Sequence, residues 1–290
     1  MSVGKEIRNK IKSVQNTQKI TKAMQMVATS KMRKTQDKMK KARPYAKTIR
    51  NVMARLAHVN PYAKRNTPFL RNVENKKNVG IILITSDKGL CGGLNSNAIK
   101  LFYKQVLEFK NQGVNVEICC LGHKGLAAAN RVGLNIVSSS VNLGDVPQME
   151  KLIGPVSALL EKFHDGLLDG VYVVYSHFVN TMKQQPTYEQ LLPLSERDLQ
   201  LDKSLPWDYV YEPSATEVLD ELIRRYVESV VFQCLSDNMA SEQAARMIAM
   251  KSATDNAGNA INQLKLVYNK SRQAAITKEL SEIVAGSAAV

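Results

Sequence analysis

The residues that come closest to a chemical site are Ser86-Asp-Lys-Gly-Leu-Cys-Gly-Gly-Leu-Asn95, a glycine-rich loop between an apolar run and a helix-like run. Such loops cradle phosphates because backbone N–H groups and a helix N-terminus converge there. This one lacks the lysine and hydroxyl of GxxxxGK[ST] and does not match GxGxxG, so it reads as a tight turn. Cys91 would need a base to act as a nucleophile, and no histidine lies near it in sequence. Asp220 and Glu221 are adjacent on a helical stretch and face different directions, which makes them a poor carboxylate pair. Asp165 and His177 have no serine in a nucleophile elbow. His58, His123, His164 and His177 are scattered singly, and Cys91, Cys119, Cys120 and Cys234 show no CxxC spacing. The residues therefore predict reduced thiols, no metal site, no cofactor and no active site.

The elements around that loop are more telling. From Ser214 to Ala285 there is no proline and a single glycine, Gly258, with apolar or small residues at helical spacing. Uninterrupted, that is about 70 residues, or roughly 105 Å at ~1.5 Å per residue. A globule of this chain length has a diameter of only about 50 Å. Residues 5–60 hold no glycine and one proline, Pro44, so they supply a second long helix that Pro44 bends or interrupts. The economical arrangement pairs the two as an antiparallel coiled coil. In the first helix Ile7, Ile11, Val14, Gln18, Thr21, Gln25, Ala28, Met32 and Thr35 follow a heptad that continues to Leu56. Ile20, Met24, Met26 and Val27 leave that seam, and one partner helix cannot bury them all. The C-terminal tip around Ile276, Leu280 and Ile283 is likewise apolar on more than one face, with few charges, and looks fitted to another protein.

Between the helices, strand and helix patterns alternate: Val79–Thr85, Leu94–Asn111, Val114–Leu121, Lys124–Arg131, Leu134–Ser140, Gln148–Gly166, Gly170–Phe178 and an edge strand at Thr187–Leu194. This predicts a small, Rossmann-like, mostly parallel α/β domain with helices on both faces. The predicted division is an N-terminal helix at 1–60, a linker at 61–78, the α/β domain at 79–195, a loop with Trp207 at 196–213 and the C-terminal helix at 214–290.

The net charge of +14 is unevenly placed: residues 1–50 carry fifteen Lys or Arg against Glu6 and Asp37. Such a helix suits an acidic partner, either nucleic acid or an acidic protein surface. Base-stacking aromatics are scarce there, with only Tyr45 and Tyr62 before Phe69. No apolar run reaches the roughly 20 residues of a membrane span. The start, Met1-Ser-Val-Gly-Lys-Glu, lacks the apolar core of a secretory signal, which predicts a cytosolic or equivalent location. A linking or mechanical protein, a basic coiled-coil nucleic-acid binder and a nucleotide-dependent enzyme remain as readings.

Ile7-Arg-Asn-Lys-Ile-Lys-Ser-Val-Gln-Asn-Thr-Gln-Lys-Ile-Thr-Lys-Ala-Met-Gln-Met-Val-Ala-Thr-Ser-Lys-Met-Arg33 closely resembles the gamma subunit of F-type ATP synthases, bacterial type. So do Ser241-Glu-Gln-Ala-Ala-Arg-Met-Ile-Ala-Met-Lys-Ser-Ala-Thr-Asp-Asn-Ala257, the segment Leu266–Val284 and the Gly89–Asn95 turn. The resemblance implies a central-stalk rotor, one copy per complex, whose coiled coil passes through a hexamer of alpha and beta subunits. Its body would rest on the c-subunit ring beside epsilon, at the cytoplasmic face of the bacterial inner membrane. It implies coupling of proton flow to ATP synthesis or hydrolysis, with no active site and no membrane insertion of its own. By the same resemblance, Arg272, Gln273 and Thr277 would contact a loop of beta near the rotor axis. Met24 would face the acidic segment of beta's moving domain, and Tyr209 and Glu212 would touch the c ring.

Overall fold

The computed structural model of the chain describes residues 2–59, 67–71, 73, 75–145, 148–194, 212 and 214–287. They form α1 (Ser2–Val59), β1 (Asn78–Ile84), α2 (Leu94–Asn111), β2 (Asn115–Leu121), α3 (His123–Arg131), β3 (Asn135–Ser140), α4 (Glu150–His164), β4 (Gly170–Phe178), β5 (Gln184–Leu192) and α5 (Ala215–Ser287). A 3₁₀ turn, Pro68–Leu70, precedes β1. Two compact units result, Met1–Thr29 with Arg246–Val290 and Ser30–Ala245.

The larger unit is built on a five-stranded sheet in the order β3-β2-β1-β4-β5. The pairings of β1 with β2 and β4, and of β2 with β3, are parallel, whereas β5 runs antiparallel to β4 at the edge. Alternate side chains of β1 serve opposite faces, as the period of two requires. Val79, Ile81 and Leu83 join Phe102 and Val106 of α2 and Ala129 of α3. Ile82 and Ile84 join Leu152, Leu159 and Phe163 of α4, together with Met53 and Leu56 of α1 and Leu219, Ile223, Val227 and Val231 of α5. Gly122, at φ +104°, turns the chain from β2 into α3 where a Cβ would run into the Thr85 carbonyl. The mostly parallel α/β sheet expected from the strand–helix alternation is present. β5 begins at Gln184, earlier than its apolar pattern suggests, because the antiparallel register pairs Phe178 with Gln184 and so extends the hairpin through polar residues.

α1 runs through Pro44 without interruption. Pro44 is exposed, so water can meet the carbonyl that loses its donor, and the Thr48 hydroxyl donates to the Pro44 carbonyl at 3.0 Å. Within this unit Lys31 Nζ of α1 lies 2.7 Å from Asp145 Oδ1.

In the smaller unit two helix segments lie antiparallel. Ile7, Ile11, Val14, Gln18, Thr21, Gln25 and Ala28 of α1 are half-buried or buried, and so are Thr254, Ala257, Ile261, Leu264, Tyr268 and Ser271 of α5. Both sets step by three and four, so the heptad is the line along which the helices meet. Thr21 Oγ1 and Thr254 Oγ1 stand 2.7 Å apart across that line. Either hydroxyl can give its proton to the other, because each has a backbone carbonyl, of Gln18 or Met250, to take the remaining one. Gly258 lies against the partner helix, where a Cβ would meet Gln18 Nε2 at 3.2 Å.

A hydrogen-bonded pair of this kind predicts non-additivity. Thr21→Val or Thr254→Val alone lowers unfolding free energy by about 0.5–1.5 kcal/mol, while the double substitution costs less than the sum. A double-mutant cycle by denaturant unfolding of the full chain checks this, and strictly additive losses would contradict it.

Candidate functional site

The glycine-rich loop is closed by its own side chains. Asn95 Oδ1 accepts the Ser86 N–H at 3.1 Å, and Asn95 Nδ2 donates to Ser86 Oγ at 2.8 Å and to Cys91 Sγ at 3.3 Å. The Ser86 hydroxyl donates to the Lys88 carbonyl at 2.7 Å. Asp87 accepts the N–H groups of His123 at 3.0 Å and Asn142 at 3.1 Å through Oδ1, and that of Leu143 at 2.8 Å through Oδ2. These donors lie at the C-terminal ends of the parallel strands, where open α/β sheets bind the phosphates of a ligand. Here a carboxylate of the chain already takes them. The loop is a knot that ties the ends of β1, β2 and β3 together, as a tight-turn reading requires.

The other candidate chemistry is also dispersed. His177 pairs with Asp237 rather than Asp165, with Nδ1 2.6 Å from Oδ2. Asp165 Oδ1 is 3.3 Å from His164 Nδ1. Glu221 is bonded to Arg225 Nε at 2.9 Å, whereas Asp220 turns toward His164 at 3.9 Å, and burial raises its carboxyl above the usual range. Burial pushes the Cys119 thiol up to about 11 and that of Cys120 up to about 12, so neither is a ready nucleophile. Among the described residues no group of three or more His, Cys, Asp or Glu could hold a metal ion, and no helix is long and apolar enough to cross a membrane.

The long helices also carry exposed apolar side chains. In the smaller unit Ile20, Met26 and Val27 are 60%, 68% and 52% exposed, while Met24 beside them is half-buried against the seam. Polar residues Gln18, Lys19, Lys22, Gln25, Lys251, Thr254 and Asp255 line a groove along the helix pair. Past Ser271, every described side chain of α5 up to Ala285 is exposed, including Arg272, Gln273 and Thr277. Ile276, Leu280, Ile283 and Val284 of this segment are all between 49% and 67% exposed. Gly4, near the start of α1, lies against Tyr268. Glu212 is exposed, and Tyr209 lies outside the described residues.

The sequence reading assigned nothing to Ser236-Asp-Asn-Met-Ala-Ser241, whose side chains are all buried. The available signal was a polar cluster inside a helix, free of glycine and proline, between the apolar runs that end at Leu235 and resume at Met239.

A family model described as ATP synthase matches residues 4–290. The ATP synthase gamma chain of Chromobacterium violaceum is 63% identical over 290 residues, 100% of both chains. That of Laribacter hongkongensis is 60% identical over 290 residues, again 100% of both. Among solved structures, a chain of the central stalk and c ring of the Tetrahymena thermophila mitochondrial ATP synthase matches with a TM-score of 0.62 at 26% identity, covering 81% of this chain and 99% of that one. A chain of the Euglena gracilis mitochondrial ATP synthase rotor shares the fold, with a TM-score of 0.62 at 19% identity over 95% of this chain and 99% of that one. These matches lend no support to reading the basic helix as a nucleic-acid surface.

Removing the Asp87 carboxylate strands one half-buried and two exposed N–H donors, and water can reach the exposed two. Asp87→Ala therefore lowers unfolding free energy by about 1–3 kcal/mol in urea titration. An unchanged midpoint and slope would show that the knot carries no stability.

Proposed function

Because the chain belongs to the gamma-chain family of ATP synthases, and so matches a central-stalk rotor, we propose that it turns inside a hexamer of alpha and beta subunits and couples proton flow to ATP synthesis or hydrolysis. The observation that carries this reading is the stretch of α5 beyond Ser271, whose described side chains up to Ala285 are exposed and include Ile276, Leu280 and Ile283. A surface of that kind marks a site that another protein covers. The single chain is asymmetric, so each beta subunit around it meets a different face. Contacts that differ between beta conformations are what shift a nucleotide site between open and closed states, since equal contacts shift nothing.

The chain contributes no catalytic group in this account. The Asp87 carboxylate of its glycine-rich loop is taken up by the N–H groups of His123, Asn142 and Leu143, and nucleotides are handled by the surrounding subunits. Arg272, Gln273 and Thr277 engage a loop of beta near the rotor axis, and Met24 faces an acidic segment of beta's moving domain. The surplus of Lys and Arg on the first fifty residues suits that acidic surface. Tyr209 and Glu212 touch the c ring, epsilon lies beside the body, and one copy serves each complex. The complex sits on the cytoplasmic face of a bacterial inner membrane, with this chain peripheral to it.

Met24→Lys adds a cation at a half-buried position beside the seam, where the rotor passes acidic beta surface. It impairs coupling more than assembly, and ATP made per proton translocated is the readout; an unchanged ratio sinks the assignment. Arg272→Ala removes one contact worth ~1 kcal/mol and slows turnover by about fivefold with the hexamer still assembled. Wild-type turnover in the purified complex would count against that contact.

A further inference from the structure

Six consecutive residues of α5, Ser236 to Ser241, are buried in the larger unit, and Ser236, Asp237, Asn238 and Ser241 among them are polar. Apolar side chains of similar size would fill this space without the cost of desolvating polar atoms. Apart from Glu228, Ser229 and Gln243, the other buried side chains of α5 in this unit are apolar, with Leu219, Ile223, Val227, Val231 and Leu235 recurring every fourth residue. The cluster is the densest group of buried polar side chains on the helix, and its bonds say what it holds.

Three of those side chains reach one end of β4. Asn238 Oδ1 accepts the N–H of Ser176 at 3.1 Å, and the Ser241 hydroxyl donates to the carbonyl of the same residue at 2.9 Å. Asp237 Oδ2 lies 2.6 Å from His177 Nδ1. Ser176 stands past the last β4 residue that pairs with β1, Val174, and its opposite number on β5 is Pro186, which has no N–H to offer. α5 therefore takes both backbone groups of Ser176, as a longer β1 would have done. Apolar packing has no preferred direction, and a stripe repeating every fourth residue tolerates roll and slip. Hydrogen bonds lose strength steeply with misalignment, so two bonds to one peptide position and a third to its neighbour fix the helix both in rotation and along its axis.

We propose that Asp237, Asn238 and Ser241 of α5, bonded to Ser176 and His177 of β4, form the joint through which torque passes between the α/β body and the long helix. The inference rests on the rotor reading above and adds to it where the load crosses. These are positioning residues, since none touches a nucleotide. They act by keeping the helix from turning or sliding on the sheet while force is applied to either.

The test uses the assembled complex with the hexamer immobilised and a probe on the ring side, reading the width of angular fluctuation during each pause in rotation. Asn238→Ala with Ser241→Ala deletes both bonds to Ser176. The fluctuation widens, and ATP synthesis against a load is lost before ATP hydrolysis. Ser241→Ala alone keeps the Asn238 bond, gives partial widening and serves if the double variant fails to assemble. Ser241→Thr keeps the hydroxyl and restores the wild-type width. Wild-type width in both alanine variants overturns the joint while leaving the rotor reading intact. A wild-type complex in which this chain does not turn overturns both.

Discussion

A helix of 73 residues needs something to bury against along its length, and the rest of the structure follows from how α5 meets that need. Up to Ala245 it lies in the larger unit, buried nearly all round from Val227 to Ala244 by the sheet, α4 and α1. From Arg246 to Ser271 it has one partner, the first segment of α1, and buries one stripe. Beyond Ser271 its described side chains up to Ala285 are exposed. Residue types change with these surroundings: large aliphatics against the sheet, small and hydroxylated residues in the helix pair, and exposed aliphatics at the tip. The last choice makes physical sense only with a further protein around it.

In the body, three backbone donors at the C-terminal edge of the parallel strands are already taken by the chain's own Asp87. Parallel strands, a glycine-rich turn and helix starts at the C-terminal edge form the setting in which related folds hold phosphates, yet Asp87 spends its carboxylate on the N–H groups that an anion would use. The sheet also seats the long helices, whose exposed faces offer surface to other molecules. Basic residues crowd the first of them, and the apolar residues off its seam stay exposed at Ile20, Met26 and Val27.

Much of this was legible in the sequence because it depends on local spacing. The heptad from Ile7 to Ala28 reappears as the buried line of the helix pair, and α2 and β4 run from Leu94 to Asn111 and from Gly170 to Phe178 as the pattern suggests. What escaped depends on partners distant in the chain. Nothing near Pro44 says that the helix tolerates it. The start of β5 at Gln184 is set by the register with β4 and not by its own residues. The burial of Asp237 and Asn238 follows from the end of β1, some 150 residues earlier, which leaves Ser176 unpaired on its β1 side. Asp87 looked like part of a turn because its donors come from two other strand ends. At the candidate contacts, exposure of Arg272, Gln273, Thr277 and Glu212 is a structural fact, while the partner each meets came from family resemblance alone.

The central claim is that this chain turns relative to the subunits around its helix pair. The direct measurement fixes a hexamer of alpha and beta subunits to a surface, attaches a probe to the α/β body of this chain and adds ATP. The account predicts stepwise rotation in one direction that stops when ATP is withdrawn. ATP hydrolysis by the same particles with the probe fixed in orientation would contradict it.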